Sequence, residues 1–90
     1  MTDEQIVDGL YRVIWQGTPE QRKHMQWNPW TQESHAWEAM DYLVAGDAAK
    51  AIRLASFIEE ETLPGFFMLS TEARLRAITL GCAKLAGVTK

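Results

Sequence analysis

Apolar residues recur along this chain at helical intervals, broken at regular points by turn residues. Ile6, Leu10, Val13 and Ile14 fall on one face, with Val7 and Tyr11 beside them. Thr2 and Gln5 stand at capping-box spacing, and Asp3 and Glu4 suit the positive end of a helix dipole. Gly17 is a natural stop and Pro19 prevents resumption, so the pattern predicts a helix over about 3–16. Residues 17–28 read as a polar linker, with room for a helical turn starting at Thr18-Pro19 and too few apolar residues to pack deeply. A second helix is expected from 29 or 31 to 45. Asn28 would cap it with Pro29 at its first position, or Thr31 would cap it. Its stripe is Ala36, Met40, Leu43 and Val44, with Trp37 most simply core on the flank, and Gly46 ends it. Leu75, Ile78, Cys82 and Leu85 mark a last helix over about 71–86, capped by Ser70 or Thr71 and ended by Gly87.

Between these helices the pattern is double. Over 47–61, Asp47 can cap and Ala48, Ala51, Ile52, Ala55 and Ile58 share a helical face, with alanine favouring helix. The same stretch also alternates imperfectly as a strand over 51–58. Beyond it, Thr62-Leu63-Pro64-Gly65 signals a turn, and Phe66-Phe67-Met68-Leu69 is a strand-like run that needs a partner for its backbone groups. Local pattern alone over 47–61 prefers helix, but the nearest partner for the second run is 51–58, which gives a β-hairpin, and Glu59-Glu60-Glu61, unfavourable at a helix C-terminus, adds a small argument for it. The expected fold is therefore α+β and predominantly helical: an N-terminal helix, then helix, β-hairpin and helix. The alternative is an all-α four-helix domain with 47–61 helical.

The chain has 90 residues, enough for one domain spanning 1–90 with a thin core. Its single cysteine, Cys82, excludes an internal disulfide and a cysteine zinc cluster, and a reducing, cytoplasmic compartment is the simplest expectation. No apolar run is long enough to span a membrane, and no charged-then-apolar start suggests a signal peptide. A net charge of −3 without a basic stripe makes nucleic acid an unlikely partner.

Trp27-Asn28-Pro29, followed by Ala36-Trp37-Glu38-Ala39-Met40, resembles the start of the small phage and prophage proteins that carry the "phage ABA sandwich" domain. In that family an Asn-Pro or Asp-Pro opening leads into a helix and then a hairpin, commonly with a Gly-aromatic-aromatic second strand, here Gly65-Phe66-Phe67. The closing helix is rich in small residues and often contains a cysteine, here Ala73 to Leu85 with Cys82. The resemblance covers about residues 27–86. It implies a phage or prophage origin and supplies no enzymatic activity.

Several constellations carry candidate chemistry. Arg22, Lys23 and His24 precede Trp27 and Trp30. Phosphate on the cations and a base stacked on the indoles would hold a nucleotide-derived signal. Alternatively the tryptophans pack onto the helices, or they form an oligomer interface. Arg74 and Arg76 lie near a helix N-terminus and are surface residues or phosphate partners. His35 and Glu38 share a helical face, but one such pair is not a metal site, so no metal or other cofactor is expected. Cys82 lies on the core stripe and reads as an inert thiol. No nucleophile–base or acid–base pair is visible, so the chain is expected not to be an enzyme. Two functions follow as expectations. The first is a phage-type accessory protein that binds a host protein to blunt a defence. The second is an oligomeric module sequestering a nucleotide-derived small molecule. Self-association as a homo-oligomer suits both.

Overall fold

The structure is a computed structural model that describes residues 1–62 and 69–89. Five helices occur among them: α1 Asp3–Trp15, α2 Pro19–Met25, α3 Glu33–Val44, α4 Ala48–Thr62 and α5 Thr71–Leu85. No strand is present among the described residues, so the α+β expectation is corrected to an all-α arrangement. It has one helix more than the four-helix alternative, because the expected linker contains α2.

The correction turns on residues 51–58, which lie inside α4. Asp47 Oδ1 accepts the N–H groups of Ala49 (2.9 Å) and Lys50 (3.2 Å), and this satisfies donors that a helix start leaves orphaned. The acidic run that argued for a hairpin is compensated from outside the helix. Lys84 of α5 pairs with Glu60 (3.4 Å) and Glu61 (3.2 Å), so like charge at the negative end of α4 meets a cation. The Lys84 ammonium is correspondingly held above its ordinary pKa, chiefly by the hydrogen bond to Glu61, against a smaller lowering from desolvation. The other half of the expected hairpin, residues 66–68, lies outside the described residues. The register of α4 also differs from the expected face: Leu54 is buried and Ile58 half-buried, while Ile52 points to solvent, 71% exposed.

α4 and α5 form the most extensive helix pair, and α5 also packs on α3 and α1. Gly81 allows a close approach of the two helices. A Cβ there would lie 2.8 Å from Ile58 Cγ1 and 3.4 Å from Leu54 Cδ1. Around α5 the core gathers Val7, Leu10 and Ile14 of α1, Ala36, Ala39 and Leu43 of α3, and α5's own Leu75, Ile78 and Cys82. The thiol of Cys82 is fully buried, and burial pushes its pKa up to about 12.

Helix ends show where local chemistry was read correctly and where it was not. Thr2 and Gln5 form the expected capping box. The left-handed residue after α1 is Gln16 (φ 54°) and not Gly17. Gly17 is required for space instead, because a Cβ there would collide with the ring of Tyr11. Thr18 and Gln21 form a second capping box that starts α2 with Pro19 at its first position. Asn28 does not cap α3. Its side chain accepts the Trp30 N–H (3.0 Å), closing a turn over 28–31, and α3 begins at Glu33. Val13 and Trp37, both expected in the core, are 39% and 49% exposed.

Substituting Gly81 with leucine should drive a side chain into Ile58 and Leu54 and cost about 1–3 kcal/mol. Urea unfolding should show a lower midpoint at unchanged slope, with native helicity by circular dichroism. An unchanged midpoint would mean that α4 does not pack on α5 at this glycine.

Candidate functional site

The residues singled out between 22 and 30 do not form one surface. Arg22 is the only buried residue of α2, and it points inward, 8% exposed. Its Nε donates to Asp8 Oδ1 at 2.5 Å, its Nη1 to the carbonyl of Trp27 at 3.1 Å and its Nη2 to Glu4 Oε1 at 3.3 Å. Two carboxylates thus neutralise the guanidinium, and three acceptors occupy its fork. Its geometry is that of a tie between α1, α2 and the start of the Trp27 segment. Lys23 is exposed and pairs with Glu4 at 3.2 Å, so it serves the same carboxylate from outside. His24 is exposed on α2.

Trp27 is buried, 4% exposed, between two rings. Tyr11 lies 5.7 Å away at a tilt of 56°, and His35 lies 6.0 Å away, nearly parallel. His35 does a second job: its Nδ1 accepts the backbone N–H of Asn28 at 2.9 Å. The His35–Glu38 pair read from the sequence is therefore not a free ligand pair. Among the described residues no group of three or more His, Cys, Asp or Glu side chains is placed to hold a metal. The indole Nε1 of Trp27 is buried and finds no acceptor among the described residues, a desolvation cost of about 1–3 kcal/mol that the surrounding packing must offset.

Trp30 belongs to a different place. Its Nε1 donates to the carbonyl of Asp3 at 3.0 Å, and the Arg76 guanidinium lies over its ring, 5.1 Å from the centroid. Arg76 also pairs with the Asp3 carboxylate at 3.2 Å. These residues, with Thr31, Thr71, Glu72 and Leu75, line a groove of about 520 Å³. Arg74, one turn before Ile78, donates to Thr71 Oγ1 at 3.3 Å. So the structure brings Trp30 and Arg76 together on Asp3, gives Arg22 other partners, and sets Trp27 in the core.

No protein-family model, curated protein or solved structure matches the chain. The site is accordingly read from its own geometry.

That geometry includes residues the sequence reading passed over. Trp15 is 50% exposed at the end of α1, and Met25 is 66% exposed at the end of α2. With Tyr11, Glu20, Gln21 and His24 they line an open groove of about 730 Å³. On α3, Trp37 and Tyr42 are 49% and 51% exposed. The periodicity did hold a signal for Trp15: it falls off the Ile6–Leu10–Ile14 face, which leaves a large ring without a place in the core. Trp37 gave the opposite signal, since it flanks the Met40 stripe. Its Nε1 instead donates to Glu33 Oε1 at 3.2 Å, which lays the ring along the outside of α3.

Replacing Arg22 with alanine strands the partly buried Asp8 carboxylate, and should cost about 3–5 kcal/mol, a large share of the stability of a small domain. Lys23→Ala removes only an exposed pair and should cost at most about 1 kcal/mol. Chemical denaturation of both variants checks this, and equal losses would refute the structural role of Arg22. A second outcome concerns Cys82. Its thiol pKa lies above its ordinary value of 9.0, so it stays protonated in the folded chain until pH rises toward about 12. The stability it contributes is full below 9 and fades only in that alkaline window. A thiol reagent at pH 8 should therefore label the chain only as fast as it unfolds; rapid stoichiometric labelling of the folded chain would contradict the burial.

Proposed function

We propose that this chain acts by binding a protein partner through aromatic side chains that its own fold leaves outside. The observation that carries this reading is the exposure of Trp15, Trp37 and Tyr42, each about half open to solvent, while the core closes without them. Large aromatic rings at a surface cost free energy in water and return about 1.5–3 kcal/mol when fully buried. Trp and Tyr are also enriched among the few side chains that dominate protein interfaces. Trp15 stands beside Met25, a flexible thioether suited to an adaptable contact. The narrower reading is a phage-type accessory protein that binds a host protein and blunts a defence. It rests on the resemblance of Trp27-Asn28-Pro29 and the helices after it, and on the size and acidity of the chain.

Affinity capture from a bacterial lysate tests the broader reading when the wild type is compared with Trp15→Ala and Trp37→Ala. Both positions are exposed, so the variants should keep the wild-type helicity. The expected result is one partner retained by the wild type and depleted about tenfold or more by at least one variant. Capture of nothing, or equal capture by all three chains, would overturn it. For the narrower reading the measurement is phage plating on a host with an active defence, with and without the expressed chain. An unchanged plating efficiency counts against it.

A further inference from the structure

We infer that the outward face of α3 docks a basic, amphipathic segment of a protein partner, with Trp37 and Tyr42 as its aromatic edges. The inference rests on the protein-binding reading and names the chemistry of the partner.

One side of α3 is fixed by the fold. Ala36, Ala39 and Leu43 are buried, with His35 and Met40 half-buried next to them. The remaining arc carries Glu33, Ser34, Trp37, Glu38, Asp41 and Tyr42, all exposed. At 100° per residue Asp41 and Glu38 occupy the middle of this arc, Trp37 lies toward one edge and Tyr42 at the other. Two rings therefore flank two carboxylates on a single helical surface.

The face is acidic without internal compensation. No lysine or arginine occurs between Lys23 and Lys50. Among the described residues Glu33, Glu38 and Asp41 take part in no ion pair, whereas Asp3, Glu4, Asp8, Glu60 and Glu61 all do. Lys50 and Arg53, the next cations along the chain, stand on α4 and pair with none of the three. A surface of unpaired carboxylates between indole and phenol rings is complementary to guanidinium and ammonium groups. The cation stacks on a ring and donates to the neighbouring carboxylate, an arrangement arginine fits best. The Trp37 ring is already held by its bond to Glu33, so less side-chain entropy is lost on docking.

An apolar groove of about 340 Å³ adjoins the Trp37 side of this face, lined by Met40, Val44, Leu54 and Ile58, with Asp41 at its rim. It offers a seat for one aliphatic side chain of the same segment. The partner segment is thus defined on two counts: arginine or lysine one helical turn apart, and an apolar anchor on the adjacent face.

The test uses the full chain and a synthetic helical peptide with arginines at i and i+4 and a leucine on the neighbouring face. Its counterpart with glutamates in place of the arginines is the control. Tryptophan fluorescence and calorimetry should show binding of the arginine peptide that weakens as salt is raised, and no binding of the control. Trp37→Ala, and separately the pair Glu38→Gln with Asp41→Asn, should each weaken binding about tenfold or more. Glu59→Gln, an exposed carboxylate on α4, should leave it unchanged. The inference is overturned by absent binding at millimolar peptide, by indifference to Trp37→Ala, or by an equal loss in Glu59→Gln, which would reduce the effect to general acidity. It is also overturned if sedimentation shows a dimer that Trp37→Ala converts to monomer, since the occupant would then be a second copy. Loss of lysate capture in Trp15→Ala alone, together with failure of the peptide, removes the α3 assignment and leaves the protein-binding reading standing. Failure of the peptide and of all capture removes both.

Discussion

The guanidinium of Arg22 holds the N-terminal half of this molecule together. α2 is seven residues long and buries no apolar side chain, so hydrophobic burial cannot attach it to the rest. What attaches it from within is one charged group, brought in from solvent and met by Asp8, Glu4 and the carbonyl of Trp27, with Lys23 adding only an exposed pair to Glu4. Burying an arginine is unfavourable unless its charge is compensated and its donors are filled. Here two carboxylates from the first two turns of α1 supply the charge, and the third contact fixes the start of the next segment.

From that contact the order propagates along the chain. The carbonyl of Trp27 is pinned, and its indole then lies between Tyr11 of α1 and His35 of α3. His35 in turn holds the N–H of Asn28, whose side chain closes the turn leading to Trp30. Trp30 ties back to Asp3, and Asp3 pairs with Arg76 on α5. A polar and aromatic chain of contacts thus runs from α2 through the Trp27 segment to both ends of the domain. It supplements the apolar seam of α4 on α5, where close approach at Ile58 and Leu54 depends on the missing side chain of Gly81.

The elements legible in the sequence were those whose signals were local. The capping box of Thr2 and Gln5, the α5 stripe from Leu75 to Leu85 and the stop at Gly87 each need only neighbouring residues to be understood, and each stands as read. Most of what was misread depended on contacts distant in sequence. The acidic run Glu59–Glu61 argued against a helix only while Lys84, more than twenty residues away, was out of the account. Arg22 looked like a cation open to phosphate because Asp8 and Glu4, which fill its fork, lie on another helix. Asn28-Pro29 has the composition of a helix start, yet His35 and Trp30 recruit it into a turn. The proposed site failed to assemble for the same reason: adjacency in sequence placed Arg22 beside Trp30, while the tertiary pairing sent one inward and the other to Arg76.

The tryptophans show how a thin core divides its aromatic residues. Trp27 and Trp30 are anchored by partners on other helices, and each ring contributes to closing the domain. Trp15 and Trp37 lie on α1 and α3, helices whose buried faces are already filled by smaller side chains, aliphatic residues and Tyr11 on α1 and alanines with Leu43 on α3. Substituting either with a polar residue would remove an exposed ring and leave those buried faces intact, so the fold alone gives no reason for their presence. Trp37 goes furthest in this respect, because it is fixed by Glu33 on a face whose other carboxylates pair with no cation among the described residues. A ring held in place beside uncompensated charge is organised for something outside the chain, and the sign of that charge specifies a cationic partner.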